Sequence, residues 1–405
     1  MSNLSQPLTI AAVGCGSRAR TYSQIAASLG DRYRITAGAD PVPQRLEAMR
    51  EISDNPEFQG FDSADALLAQ DRLADVLIIG TQDNYHFEPA KKALEKGYHL
   101  LLEKPAAQSL EEVNELARLA KKYDRKILLC FVLRYTPFYS KVHEIIRSGR
   151  LGDIITIHAA EGVDAWHHTH SYVRGNWSRT DLSTPMIIAK CSHDTDYISW
   201  FMNSRCTSVS SYGRLSHFTS AHAPEGAADR CTSGCPHAAP QGGNCPYDAH
   251  HYLDKHARWL RMVYPHPTER NKDDIIKWLE SSPWGRCAWK CDNNAVDHQV
   301  VSMEFENGNT ASLTMTAFDC AATSRFTAPK PAFAAATPTM DFQTKISLSA
   351  TTTAEKLKPS RSNPLTMTAT KATAAATTGW SMRWMPSSAE TAQKAHSSNT
   401  PSKVT

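Results

Sequence analysis

The sequence predicts a two-domain α/β protein: a doubly wound parallel sheet, then an α+β domain with a largely antiparallel, open sheet. Three observations predict it. Short apolar runs alternate with helical patterns through the first third of the chain, the pattern of βαβ units. The texture then changes to longer strands, one long helical stretch and a hairpin signal at Asn307-Gly308. Near residue 320 the composition shifts abruptly to Ala, Thr and Ser, which predicts a disordered low-complexity tail. The 405 residues accordingly divide as 1–133, 134–320 with a Cys-rich insertion at 229–250, and 321–405.

The elements follow in order. LTIAAVG (8–14) is an apolar strand, and a helical pattern runs on through Ile25 and Ala26. YRITAGAD (33–40) is the next strand. ADVLIIGT (74–81) is almost wholly apolar, as a strand buried on both faces must be. EPAKKALEKG (88–97) has helical spacing and a glycine stop. YHLLLEKP, LEEVNELARLAKKYD (110–124) and KILLCFV (126–132) complete the alternation as strand, helix and strand.

In the second part, DIITIHAAEG (153–162) reads as a strand. The segment 183–203 reads as one amphipathic helix, with Thr184 as N-cap and Pro185 at its first position. Residues 297–318 read as two strands joined at Asn307-Gly308.

Composition narrows the function classes. A hydrophobic fraction of 41% and a charged fraction of 21% are those of a globular protein. A net charge of +3 gives no reason to expect a nucleic-acid partner. No run of apolar residues is long enough to span a membrane, and MSNLSQPLTIAAVG lacks a signal peptide's basic start and cleavage site; a cytoplasmic protein without a membrane partner is expected. Residues 321–405 differ from the rest: ten Lys/Arg against three Asp/Glu, 45 Ala, Thr or Ser, and no sustained apolar period. Two origins fit this composition, a natural extension or out-of-frame translation.

Gly14-x-Gly16-x-x-Ala19 follows the first strand and opens the first helix. The first glycine allows a tight turn, the second lets backbone approach a pyrophosphate, and the small third residue lets helix and strand pack closely. The amides at Ser17 and Arg18 then face an anion at the helix start. Asp40 ends the second strand, where a carboxylate can accept from ribose hydroxyls. These features predict a Rossmann domain that binds NAD or NADP. Asp40 favours NAD, while Arg18 and Arg45 leave NADP open. Lys104 stands at the exit of a core strand, on the side of the sheet where ligands bind, and Pro105 stops the strand there.

These motifs resemble the Gfo/Idh/MocA family of NAD(P)-dependent sugar and cyclitol oxidoreductases. The resemblance covers roughly residues 7–320. It rests on the glycine turn, Thr81 to His86 (TQDNYH), Glu103-Lys104-Pro105, RYTPFYSKVHEII (134–146), HSYVRGNW (170–177) and AKCSHDTDYISWF (189–201). It implies a cleft between the domains, with Lys104 and His193 as catalytic residues. Thr81, His86, Glu103 and Lys104 join the glycine turn and Asp40 on the cofactor. Many members carry an Asp four residues before the histidine, but Ala189 stands there. Lys190 is therefore expected as the second polar partner of His193, since positions three apart share a helix face. Arg134, His170, Tyr172 and Arg174 are candidate substrate contacts. The expected activity is hydride transfer between NAD(P) and a secondary alcohol. A histidine suits the proton step and a fixed ammonium the developing alkoxide. Alternatives are a redox-neutral NAD-dependent glycosidase or lyase, or a non-catalytic dinucleotide-dependent regulator. The family also implies a homo-oligomer formed through the second sheet.

Five of the ten cysteines cluster: Cys231, Cys235 and Cys245, then Cys287 and Cys291. The segment around the first three is rich in Gly and Pro and offers little for a core. A structural zinc on four thiolates would order it; reduced buried thiols are the alternative, with an iron–sulfur centre or a disulfide further off. WHHTH (166–170) is a metal cluster on composition alone, but the resemblance assigns it to the substrate side.

Overall fold

The computed structural model describes residues 6–264, 271–319, 322–327, 339–342 and 346–349. The first six strands are β1 (Leu8–Val13), β2 (Tyr33–Ala39), β3 (Gln59–Phe61), β4 (Val76–Ile79), β5 (His99–Leu102) and β6 (Ile127–Leu129). They form a parallel sheet in the order β3-β2-β1-β4-β5-β6. Helices α1 (Ser17–Ser28), α2 (Pro43–Ser53), α3 (Ala64–Ala69), α4 (Phe87–Glu95) and α5 (Leu110–Lys122) cover it. This is the doubly wound order in which ligands sit beyond the strands' carboxyl ends, beside β1 and β4. Strand side chains alternate between two cores. Ala11, Val13, Leu77, Ile79, Leu100 and Leu102 serve one; Ile10, Ala12, Val76, Ile78 and Leu101 serve the other. Burial on both faces is why these strands read as unbroken apolar runs. Helix α2 carries few apolar residues, and α3 and β3 are too short to show a period in the sequence.

After α6 (Pro137–Arg147), β7 (Thr156–Gly162) enters a second sheet. Its other strands are β8 (Cys206–Arg214), β9 (His298–Phe305), β10 (Thr310–Thr316), β11 (Ala322–Thr327), β12 (Thr339–Phe342) and β13 (Ile346–Ser349). The order is β13-β12-β11-β7-β10-β9-β8, antiparallel throughout except between β7 and β10. β9 and β10 are the expected hairpin, with Gly308 at φ 80°. One sheet face packs on helix α9 (Ser192–Met202); Tyr212 and Val300, paired across β8 and β9, remain exposed on the other.

Two expectations change. Residues 183–203 are not one helix but α8 (Met186–Ala189) and α9, after a short α7 (Ala165–His168). The amides of both Lys190 and Cys191 donate to Met186 O, so the chain breaks between the two helices. Thr184 caps nothing, because its hydroxyl is spent on Asp83 across the domain boundary. The tail expected from 321 onward meets three strands there, and β11 pairs with β7 over six residues. Extended pairing needs backbone groups and a neighbouring edge more than an apolar period, so composition alone did not reveal it. The rest of 321–405, where the question of a tail was posed, lies outside the described residues.

Candidate active site

The glycine turn follows from sterics. Gly14 has φ 78°, and a Cβ there would lie 2.7 Å from Thr81 N and 2.8 Å from Gly80 O. Its amide donates to Ala39 O at 2.9 Å, tying β1 to β2. Gly16 is different: a Cβ would meet nothing nearer than 3.9 Å. Its lack of a side chain leaves open space at the start of α1. Ala19 is fully buried against Gly80, where a larger side chain has no room. Asp40 is buried at the end of β2; its Oδ1 accepts from Val42 N at 2.9 Å and lies 4.0 Å from Arg45 Nη1. One carboxylate edge is thus committed to its own turn. Ser17 is exposed and Arg18 half-buried at the start of α1.

Three residues expected on the cofactor also shape the loop that carries Lys104. Glu103 is buried; Oε1 accepts from the Tyr22 hydroxyl and Oε2 from Lys104 N at 3.2 Å. His86 is buried with Nδ1 2.6 Å from Pro105 O and Nε2 3.2 Å from Thr81 O. Thr81 Oγ1 donates to Tyr85 O. His86 and Glu103 therefore clamp the Glu103-Lys104-Pro105 segment from two sides. Its Lys104–Pro105 peptide is cis. Tyr22, which sequence reading passed over as a helix residue, is what anchors Glu103.

Lys104 crosses to the second domain: its Nζ donates to Ala189 O at 2.6 Å. Further ties bring the domains together. Asp83 Oδ2 accepts from Trp177 Nε1 at 3.0 Å and Thr184 Oγ1 at 2.6 Å, and Gln108 Nε2 donates to Ser183 O at 2.8 Å. Burial pulls the Lys104 ammonium below its ordinary range; Lys190 and Arg18 add to this, while Glu103 and Asp83 oppose it. His193 begins α9, edge-on to Phe131, with Nδ1 enclosed and unpaired. Burial, then Lys104, Lys190 and Arg18, push its pKa well below normal, so the ring is a neutral proton acceptor at neutral pH. Lys190 is ion-paired with Glu161 of β7. Despite burial, Glu161 and Asp194 raise its pKa and keep it charged. Asp194 is buried with Oδ2 unpaired; burial and Glu161 raise its pKa well above the carboxylate range. Glu161 and Asp194 had no sequence signal beyond lying near the motifs.

The four expected substrate contacts separate. Tyr172 is buried beside Trp177, within electrostatic reach of Asp83 and Glu161, and so belongs with the cleft. Arg134 Nε and Nη2 both donate to Asp196 at 2.7 Å, and its guanidinium lies over Trp200. His170 is buried in the insertion's aromatic core, with Nδ1 2.6 Å from Tyr252 Oη. Arg174 is fully buried. Its Nε donates to Arg286 O at 2.7 Å and Nη2 to Tyr247 O at 2.6 Å, stapling both halves of the Cys-rich region to the domain. His170 and Arg174 meet the insertion and its flanks, whereas Arg134 meets Asp196 of α9, and Arg174 Nη1 is left without a partner.

The zinc expectation finds no support among the described residues. Cys231, Cys235, Cys245, Cys287 and Cys291 are free thiols, and among the described residues no three His, Cys, Asp or Glu side chains converge as a metal site. Burial raises the Cys231 and Cys291 thiols and pushes Cys245 up to about 11, which favours the protonated form. Arg174 lines one small cavity together with Cys231, Cys235, Cys245 and Cys287, with Nη2 3.6 Å from Cys231 Sγ. Trp166, Tyr252, Leu260 and Ile275 supply the core that composition had hidden. His167, His168 and His170 likewise diverge, onto Trp259, Phe218 and Tyr252.

Comparison with known proteins agrees with this architecture. The chain matches the NAD-binding Rossmann fold of the GFO_IDH_MocA oxidoreductase family over residues 8–131, and that family's C-terminal alpha/beta domain over 143–327. It belongs to the Gfo/Idh/MocA oxidoreductase family. Among curated relatives, it is 26% identical over 214 residues to the protein YteT of Bacillus subtilis (strain 168), covering 51% of this chain and 49% of that protein. It is 25% identical over 207 residues to the inositol 2-dehydrogenase of Corynebacterium glutamicum (strain R), covering 51% and 57%. The chain thus spans about half the length of the curated relatives it matches. The crystal structure of scyllo-inositol dehydrogenase from Lactobacillus casei, with bound NAD(H) and scyllo-inositol, superposes with a TM-score of 0.58. That match covers 93% of this chain and 88% of the other at 16% identity, a likeness of fold. Among the described residues no helix is long and apolar enough to cross a membrane.

Proposed function

We propose that this protein is an NAD(P)-dependent dehydrogenase or reductase acting on a secondary alcohol of a sugar, sugar derivative or cyclitol. One observation carries the reading: Lys104, from the parallel sheet's carboxyl edge, reaches Ala189 in the helical segment that presents Lys190 and His193. A neutral imidazole and two ammonium groups thereby share one interdomain cleft.

The residues present fit a dinucleotide. Gly16 leaves room where a Cβ would stand, and α1 offers amides at Ser17 and Arg18 for a pyrophosphate. Asp40, buried at the end of β2, is the proposed ribose partner and favours NAD over NADP. When bound, the nicotinamide supplies the hydride acceptor or donor. In the oxidative direction His193 takes the hydroxyl proton, and the Lys104 and Lys190 ammonium groups stabilise the alkoxide charge. Tyr172 lines the same cleft. Thr81, His86 and Glu103 hold the loop that presents Lys104. The exposed sheet face with Tyr212 and Val300 is the proposed contact between copies of the chain.

A panel of sugars and polyols with NAD or NADP, followed at the nicotinamide absorbance, tests the reading. Net NADH or NADPH formation with at least one substrate is expected. Turnover without net reduction would replace it with a redox-neutral enzyme. No cofactor binding by either dinucleotide would remove it.

A further inference from the structure

Sequence reading left Glu161 unassigned, as an ordinary strand residue. The structure buries its carboxylate at the end of β7 and pairs it with Lys190, which sits at the break between α8 and α9. That break frees the Lys190 backbone from a regular helix, so the helix alone does not aim its side chain. We propose that Glu161 is a positioning residue: it holds Lys190 as a charged ammonium beside His193, at the point where Lys104 arrives from the other domain. This rests on the reading of the cleft as the reaction site.

Burial pulls lysine toward its neutral form, and a carboxylate in contact opposes that pull. Lys190 has Glu161 in contact and Asp194 within electrostatic reach. The groups facing it are those two carboxylates, the Cys191 thiol, and the Lys104, His193 and His167 side chains. Tyr139 and Tyr172 face Glu161 from α6 and from the segment after α7. Asp194 does not share the work equally. Burial and the Glu161 charge raise its pKa well above the carboxylate range, the Tyr197 hydrogen bond opposes this, and Oδ2 has no partner. Glu161 is the carboxylate in direct contact with the Lys190 ammonium.

Two experiments test this, one without turnover. Competitive acetylation by trace acetic anhydride, read by peptide mass spectrometry, reports the neutral fraction of each lysine. At pH 8, Glu161→Gln is expected to raise Lys190 labelling at least tenfold relative to exposed Lys255. Glu161→Asp should restore most of the protection, and Asp194→Asn should raise labelling several-fold less than Glu161→Gln does. Unchanged labelling in Glu161→Gln would overturn the proposal, as would a rise of the same size in Asp194→Asn. In turnover, Glu161→Gln should lower kcat at least tenfold with dinucleotide affinity retained. The same change in a Lys190→Met background should cost less than twofold, since Glu161 acts through Lys190. Additive losses would assign Glu161 a separate role. A protein without dehydrogenase activity would fail the functional reading, while the labelling result would still decide the role of Glu161.

Discussion

Alanine substitutions at Gly14 and Gly16 separate folding from cofactor binding, although the two positions are two residues apart. At Gly14 the backbone is left-handed and a Cβ would lie 2.7–2.8 Å from the Gly80–Thr81 backbone, which cannot move without shifting β4. The left-handed conformation costs an L-residue about 1–2 kcal/mol. Forcing an extra methyl into packed backbone adds about 1–3 kcal/mol. Gly14→Ala should therefore destabilise the protein by about 2–5 kcal/mol, which lowers Tm by roughly 5–20 °C. Gly16 has φ −71°, an ordinary value, and 3.9 Å of clearance. Gly16→Ala should leave Tm within about 2 °C of the parent, since a compatible Gly→Ala change is neutral to slightly stabilising. It should nonetheless weaken NAD binding at least tenfold, because the methyl stands where backbone must approach the pyrophosphate. Differential scanning fluorimetry gives the first quantity and titration calorimetry the second. Parental NAD affinity in Gly16→Ala would remove this turn from the cofactor site. A parental Tm in Gly14→Ala would refute the steric reasoning.

Further outcomes follow from the same geometry. Lys104→Ala should lower kcat about 100-fold or more with cofactor affinity retained, and near-parental turnover would remove it from the reaction. His167 and His170 are pushed down to about 3 and His168 to about 4, chiefly by burial. Their folded pKa values lie below the unfolded one, so the stability they support is complete above about pH 6.5 and is lost as pH falls toward 3–4. Each ring should cost about 2 kcal/mol between pH 7 and 5, read from urea midpoints, and a flat profile would show that these histidines are not enclosed. Asp83→Ala strands a part-buried indole N–H and a buried hydroxyl; about 2–4 kcal/mol of destabilisation is expected, and less than 1 kcal/mol would mean that the domains do not depend on this tie. Chelation should leave Tm unchanged, whereas stoichiometric bound zinc in purified protein would contradict the free-thiol arrangement.

Some of this was legible in the sequence, because local chemistry decided it. A strand buried on both faces must be apolar throughout, so β1, β4 and β5 announced themselves. The Gly14 turn has one steric solution, and Pro105 ends a strand wherever it falls. Lys104 and His193 lie within such local motifs. What only the tertiary structure decided were the partners of long side chains. Arg134, His170 and Arg174 sit in segments that suggested substrate, and each makes hydrogen bonds to protein far along the chain: Asp196, Tyr252, Arg286 and Tyr247. The Cys-rich segment looked coreless until Trp166 and Tyr252 met Leu260 and Ile275. Glu161 and Lys190 are 29 residues apart and belong to a strand and a helix break, so no spacing relates them. Periodicity is set by a residue's own backbone and is written locally. An ion pair or a buried donor's acceptor is set by which surfaces the fold brings together, and local sequence does not carry that information.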